Sequence, residues 1–482
     1  MDPILAWNQV ALEANRVSHT NGQNEQTGPT LSSRALAIVH LAMYDAYAGF
    51  VNDAAKLPPY IGGIPFPPGA SVKAAVAAAA HRALEELFPS QKPFFDLALA
   101  GAGDEADPGH AFGVAVALQI LADRAGDPGA GPGGYQPSPQ RGKHRPDPDN
   151  PDQGFHAPFY GAQSKLFAVT DRHELDKPPQ PKLPNPDPAY IGALRQVRNR
   201  GIAPELTGTL PANAPRRTVE ETMIGVYWGY DGARELGTPP RLYNQIVRKV
   251  AKNEKNSTEE NARLFALVNV AMADAGILAW DQKYIHDLWR PVVGIREHDK
   301  SMGPAAGQGK NDIDPDCQSD WLPLGGPATN CSNLAKPPQP IPTNKNFTPP
   351  FPAYPSGHAT FGAASLHITR LFYGVNKENR KPDKLFDGLE FVSDEHNGVN
   401  KDNKGTVRPR HVRDFPDGLW QMIIENGRSR VWLGVHWEFD AFLVKNGQID
   451  FTENVGGVPL GLTIAEDIFE SRMTKSPVGP RA

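Results

Sequence analysis

Apolar residues recur at three- and four-residue spacing in two blocks of the chain. The first block holds "SSRALAIVHLAMYDAYAGF" (32–50), "SVKAAVAAAAHRALEELF" (71–88) and "HAFGVAVALQILADRAG" (110–126). The second covers 218–230, 241–252, 258–290, 358–373, 411–430 and 461–472. This spacing predicts amphipathic helices. Between the blocks, residues 127–217 are rich in Pro, Gly and Asp and read as long loops. A second irregular stretch, 297–355, precedes the helix predicted over 358–373. Alternating strand patterns are scarce, and no short-period repeat occurs. The expected fold class is mainly α, helix bundles tied by long Pro/Gly-rich loops with little β. The chain divides into an N-terminal helical half (about 1–127), a loop-rich segment (128–217) and a C-terminal catalytic half (218–472).

Composition narrows the reading. The 482 residues, by length alone, allow about three domains. Apolar residues make up 39%, enough for a large core. The 49 basic and 54 acidic side chains give a net charge of −5, so nothing points to nucleic acid or an anionic membrane as partner. No run reaches the roughly 18 apolar residues of a membrane span. The start, "MDPILAWNQVALEANR", lacks the basic–apolar–small pattern of a secretion signal. A cytoplasmic location is the default expectation. The only cysteines are Cys317 and Cys331, with no CxxC or CxxCH, which leaves thiolate zinc and covalent haem unsupported. They either stand as free thiols or close a 15-residue loop, a bridge worth roughly 3 kcal/mol.

Three segments of the second block carry candidate chemistry. In "WDQKYIHDLWRP", Lys283 and Arg290 are seven residues apart, two helical turns, so one helix would project both from one face. Pro291 discourages the helix from continuing through Arg290. Such a pair is usually a solvated basic face. Trp280, Tyr284, Leu288 and Trp289 instead suggest an apolar setting, where cations need an anion. In "FPAYPSGHATFG" (351–362), prolines keep the chain extended up to Ser356, and helical spacing begins immediately after. Ser356 is then placed at an N-cap with Gly357 and His358 in the first turn, where free N–H groups and the dipole attract anions. An ordinary serine cap with a surface histidine fits the same residues. In "ENGRSRVWLGVHWEFDA", Arg430 and His436 are six residues apart and would diverge on one helix. If both serve one site, the helix must end near 431–435, with Gly434 the natural place. A hydrogen-bonded core histidine is the plain alternative for His436. Together these residues suit a small, highly charged oxyanion, phosphate or vanadate.

Read together, Lys-x6-Arg-Pro (Lys283, Arg290, Pro291), Pro-Ser-Gly-His (355–358) and Ser-Arg-x5-His (Ser429, Arg430, His436) resemble the three-part signature of vanadium-dependent haloperoxidases and related acid phosphatases. "WNQVALEANRVSHTNG", "FHAPFYGAQSKLFA", "GVYWGYDGARELGTPPRLYNQIVRKVA", "ARLFALVNVAMADAGI" and "VGGVPLGLTIAEDIF" extend the likeness to nearly the whole chain and look most like fungal vanadium chloroperoxidases. The resemblance implies a single domain with two four-helix bundles, overriding the length argument, and vanadate as prosthetic group. It implies His436 as the metal-bound ligand. Lys283, Arg290, Ser356, Gly357 and Arg430 would hold the equatorial oxygens, and His358 would be the acid–base residue. Lys283 would also be catalytic, polarising the bound peroxide, and Asp231 would steady Arg430. Trp280 and Phe351 match aromatic positions of the halide pocket.

The function so implied is oxidation of chloride and bromide by hydrogen peroxide, through peroxovanadate, to hypohalous acid that reacts with small organic acceptors. An acid phosphatase with a phosphohistidine at His436 is the rival on the same donors; a non-catalytic anion-binding protein is the other. Secretion, as for related haloperoxidases, is the alternative location. The chain looks shorter than the fungal enzymes between Phe442 and Val455 and at both ends, and its cysteines lie outside the family pattern. His40 and His367 sit on apolar helices and read as core residues. His286, His298 and His396 belong to no signature.

Overall fold

Each stripe of apolar residues named above forms a helix, and the departures lie at helix ends and in the segments read as loop. A computed structural model describes residues 2–102, 105–182, 185–304, 313–331 and 346–481. In chain order the α-helices are α1 (Pro3–Ser18), α2 (Gly28–Val51), α3 (Val72–Leu87), α4 (Lys92–Ala100), α5 (Pro108–Asp123), α6 (Tyr160–Gln163) and α7 (Pro188–Arg200). They continue as α8 (Val219–Tyr227), α9 (Pro239–Asn253), α10 (Thr258–His286), α11 (Pro291–Arg296), α12 (Gly357–Phe372), α13 (Gly418–Trp432) and α14 (Gly457–Glu470). Four strands of two or three residues form two antiparallel pairs: β1 (Glu390–Phe391) with β2 (Arg413–Asp414), and β3 (Leu443–Lys445) with β4 (Gln448–Asp450). The fold is mainly helical with little β, as expected.

Eight of the helices gather in two groups of four. In the N-terminal group, α2, α3 and α5 pack together with α1 across α2 and α3. In the second, α12 lies among α10, α13 and α14. The long helix α10 also packs along α2 and joins the groups. It is apolar all round and nearly every residue from Asn261 to Lys283 is buried, the pattern of a helix sheathed on all sides. By length and hydropathy α10 could cross a bilayer, yet 94% of its apolar window is buried inside the protein. Its start is a capping box between Ser257 and Glu260.

Five helices lie outside the stretches predicted as helical: α1, α4, α6, α7 and α11. Asp2 caps α1, accepting from the Leu5 N–H at 2.8 Å, and Ile4, Trp7, Ala11 and Leu12 bury its apolar face. Within 127–217, α7 forms because Tyr190, Ala193, Leu194 and Val197 make a short buried stripe between proline-rich flanks. The helix predicted over 258–290 stops at His286, since Asp287 turns into the left-handed region (φ 51°) and its N–H closes on Lys283 O at 2.8 Å. The helix predicted over 411–430 starts only at Gly418, because residues 413–414 pair with β1.

Two glycines of α14 place the start of α12. A Cβ on Gly457 would lie 2.5 Å from Ser356 O, and one on Gly461 2.5 Å from Thr360 O. Backbone contact this close needs the absence of a side chain, and it pins the first turn of α12 against α14.

Candidate active site

The start of α12 faces a cavity of about 170 Å³ between the two helix groups. Ser356 is the N-cap, its Oγ accepting from Ala359 N–H at 3.4 Å, and Gly357 and His358 follow in the first turn. Gly357, His358, Asp231, Trp280, Phe351, Arg430 and His436 all line the cavity. α13 ends at Trp432 and Gly434 takes φ +77°, so Arg430 and His436 turn to the same place, as their spacing required.

Lys283 and Arg290 converge there by a different route from the one expected. They do not share a helix face, because α10 ends between them and Arg290 is the N-cap residue of α11. Lys283 is fully buried, and its Nζ donates to three main-chain carbonyls: Pro352 (2.9 Å), Ala353 (3.2 Å) and Pro355. It stands behind the 352–355 segment, with no carboxylate in ion-pair range among the described residues. Its charge also lies 5.0 Å from the Phe351 ring centroid and 5.6 Å from that of Trp280. Arg290 donates through Nε to Phe351 O (2.8 Å) and through Nη1 to Val435 O (2.8 Å) and His436 Nε2 (2.9 Å). Lys283, Arg290 and Ser356 thus sit directly behind the cavity wall rather than on it.

His436 has a defined tautomer. Arginine only donates, so Nε2 facing Arg290 carries the lone pair, and Nδ1 carries the proton. That proton is donated to Asp440 Oδ2 at 2.7 Å, which also accepts from Trp437 N–H at 3.0 Å. Burial, reinforced by the Arg290, Lys283 and Arg430 cations, holds His436 well below its ordinary pKa, so the ring is neutral. Burial pushes Asp440 up to about 7 against the pull of Lys283 and Arg290.

His358 is the mirror case. Its Nε2–H donates to Gly229 O at 2.7 Å, which leaves Nδ1 as the ring's acceptor. Burial and the neighbouring Arg430 push it down to about 3, so it too is neutral. Asp231 forks onto Arg430, accepting from Nη2 at 2.7 Å and Nη1 at 3.2 Å, and lies 3.8 Å from His358 Nε2.

The charge balance is uneven. Three buried cations meet one paired carboxylate, Asp231, and a second, Asp440, turned to His436. Burial pushes Arg290 down to about 9 and Lys283 well below its ordinary value. Arg290 Nη2, Arg430 Nε and Asp440 Oδ1 are buried with no hydrogen-bond partner. Unmatched guanidinium N–H groups beside a neutral imidazole lone pair and a helix start are a donor set waiting for an oxyanion.

Trp280 and Phe351 form one wall, with ring centroids 4.8 Å apart. The sequence reading missed two polar residues. Asp440 was legible as a carboxylate four residues after His436, in a chain turning at Gly434. His156, inside "FHAPFYG", belongs to a segment that the likeness covers without giving this residue a role, and it lines the cavity beside the aromatic pair. The residues set aside stay apart: His40 and His367 are hydrogen-bonded core side chains. His298, Asp314 and Asp316 bring ligand atoms within 4.8 Å of one another, but Arg195 and Arg198 already hold Asp316. Cys317 and Cys331 are both free, Cys317 donating its thiol to Arg296 O at 3.3 Å.

Residues 1–154 match the family described as "Vanadium chloroperoxidase N-terminal domain", and residues 263–449 match "VCPO second helical-bundle domain". The chain is 35% identical to the vanadium chloroperoxidase of Curvularia inaequalis over 586 aligned positions, spanning 98% of this chain and 90% of that protein. Its fold is similar to a bacterial vanadium-dependent iodoperoxidase, with TM-score 0.63 and 18% identity over 96% of each chain. A bacterial vanadium-dependent chloroperoxidase in its apo form aligns with TM-score 0.57 and 17% identity, covering 93% of this chain and 95% of that one.

Proposed function

The chain belongs to the vanadium chloroperoxidase family and is a vanadate-dependent haloperoxidase; from that premise we propose that it oxidises chloride and bromide with hydrogen peroxide in the cavity at the start of α12, releasing hypohalous acid to small organic acceptors. The observation that carries the site is the set of buried, unpartnered guanidinium N–H groups, Arg290 Nη2 and Arg430 Nε, around the Nε2 lone pair of His436, whose partner is another N–H of Arg290. A tetrahedral oxyanion with a metal centre satisfies both at once. The residues present therefore fit vanadate.

His436 Nε2 would bind the metal, and Asp440 keeps that lone pair available by holding the proton on Nδ1. Arg290 and Arg430 offer the free N–H groups, Gly357 admits an oxygen to the backbone, and Ser356 fixes the helix start that presents it. The chemistry vanadate supplies when bound is Lewis-acid activation of hydrogen peroxide towards halide. His358, neutral and with Nδ1 bare, accepts the proton that peroxide must lose on arrival. Its Nε2–H stays on Gly229 O throughout, so the ring keeps its aim. Lys283 contributes its charge from behind the 352–355 segment, where low dielectric makes it act strongly. Trp280 and Phe351 exclude water from the halide and keep that dielectric low.

The test is a halogenation assay on purified protein stripped of vanadate, then reloaded, with chloride and bromide in parallel and phosphate as competitor. Turnover of both halides should return with vanadate and fall with added phosphate. Halide turnover indifferent to vanadate, or p-nitrophenyl phosphate hydrolysis far faster than halide oxidation, would overturn the reading.

A further inference from the structure

The aromatic wall of the cavity contains one polar ring, His156. It packs edge-on to Trp280 (centroids 5.9 Å apart) and tilted on Phe351 (6.0 Å). The backbone of this residue ties the wall together. Its N–H donates to Pro350 O at 2.9 Å, and its carbonyl accepts from Trp280 Nε1 (3.3 Å) and Tyr284 Oη (2.9 Å). Among the described residues the ring has one hydrogen-bond partner, Thr30 Oγ1, 3.2 Å from Nε2. Nδ1 makes no hydrogen bond to any described residue and is not sealed among the buried orphan atoms, so it is open to the cavity that the ring lines. Gly28 makes room for this ring: a Cβ there, at φ +77°, would lie 2.5 Å from His156 Cε1. Gly28 and Pro29, the first residues of the 24-residue helix α2, share the wall, but the Gly28 N–H is already donated to His19 Nε2 at 3.1 Å and Pro29 has none to give. The polar group that this side of the cavity presents is therefore the His156 ring rather than the helix backbone of Gly28 and Pro29.

We propose that His156 is the halide-selecting residue of this site: with the Thr30 hydroxyl donating to Nε2, the Nδ1–H faces the Trp280–Phe351 pocket and donates to the bound halide. The proposal rests on the haloperoxidase reading of the cavity. Chloride is the smallest of the three oxidisable halides and the strongest hydrogen-bond acceptor. A fixed donor in an apolar pocket therefore helps chloride most, bromide less and iodide least. Burial pushes His156 down to about 4, which keeps the ring neutral, with a single N–H, through the mildly acidic range. Thr30 acts as the positioning residue: its hydroxyl, able to donate or accept, donates to Nε2 in the halide-bound arrangement and so leaves the proton on Nδ1.

Two variants and two kinds of measurement test this. His156→Phe keeps the ring volume and leaves the backbone ties in place; His156→Gln keeps a donor. In the vanadate-loaded enzyme, His156→Phe should lower kcat/KM for chloride by about tenfold, the scale of one lost hydrogen bond, and that for bromide by less, so that the chloride-to-bromide ratio falls several-fold. The change should appear in KM for halide, with KM for peroxide unchanged. His156→Gln should recover most of the ratio. Thr30→Val should shift it several-fold in the same direction and move the His156 ring 15N resonances towards the other tautomer. Without vanadate, 35Cl NMR line broadening by the wild-type protein should be lost in His156→Phe. An equal loss for chloride, bromide and iodide, an unchanged ratio, or a vanadate affinity that falls in step would overturn the proposal. If the wild-type protein oxidised no halide, the haloperoxidase reading itself would fail, and the 35Cl measurement would still decide whether His156 binds the anion.

Discussion

Two of the buried polar clusters among the described residues are built on opposite rules. Where α1, α2, α9 and α10 meet, Asn8, His40, Asn244 and Asn269 form a neutral network. Asn8 Nδ2 reaches His40 Nε2 (2.9 Å) and Asn244 Oδ1 (3.0 Å); Asn244 and Asn269 bond to each other at 2.8 and 3.1 Å. His40 Nδ1–H donates to Leu36 O at 2.6 Å, and Arg248 reaches Asn8 Oδ1 at 2.7 Å. None of their side-chain polar atoms is a buried orphan. At the start of α12 the reverse holds: three cations, and guanidinium N–H groups with nothing to bond. Both clusters are equally buried, so burial does not separate structure from function here. Completeness does. A matched network has used its hydrogen-bonding capacity on the fold, while an unmatched one keeps capacity for a ligand.

The largest expected effect separates the two histidines. His436→Ala should remove vanadate binding, read by calorimetry, and vanadate-dependent halide oxidation together. His40→Ala should lower the melting temperature and leave kcat intact. Halide turnover that survives in His436→Ala, or that collapses in a folded His40→Ala, would erase the distinction.

Next in size is the response to ligand. Vanadate should raise the melting temperature of the wild-type protein, because it binds only the folded cluster. Arg290→Lys removes the fork and its unpartnered Nη2, and it should weaken vanadate by about 10- to 100-fold, shrinking that rise. Asn244→Ala should show the full rise from a lower starting point. The starting loss should be about 1–3 kcal/mol, the cost of leaving the partners Asn8 and Asn269 short of a bond. A ligand shift reduced equally in both variants would mean that the clusters are coupled rather than distinct.

How much of this was readable in the chain follows from the same contrast. Capping and chain reversal are local, so Ser356 at the N-cap and the break at Gly434 could be placed from neighbouring residues. So could the partnership of Asp231 with Arg430, once the family likeness was seen. The shared helix face of Lys283 and Arg290 was wrong in its geometry, though both reach the site. A left-handed Asp287 carries no strong sequence mark, and Pro291 opens a new helix instead of merely ending the old one. Invisible altogether were groups supplied by the main chain or by distant turns. The carbonyls of Pro352, Ala353 and Pro355 around Lys283 have no side-chain signature, and His156 reaches the cavity from a segment read as loop. The helices α1, α4 and α7 were passed over because tertiary burial of a short stripe outweighed their weak local pattern.

The smallest effect is the pH response of the matched network. Burial pushes His40 down to about 4, with the nearby Arg248 charge adding to it. The unfolded chain binds a proton on this histidine near pH 6.5, whereas the folded chain refuses it until about 4. The stability His40 contributes is therefore complete above pH 6.5, declines as pH falls, and is gone below about 4. His19 and His396, also pushed down to about 4, add slopes of the same sign, so His40 accounts for a share of the decline. His40→Gln should start less stable at pH 7, yet lose less melting temperature than wild type between pH 6.5 and 4. Measured in vanadate-free protein, this slope belongs to the fold alone. An identical slope in His40→Gln would show that the network accepts a proton without strain, and that its matched hydrogen bonds do not hold the imidazole neutral.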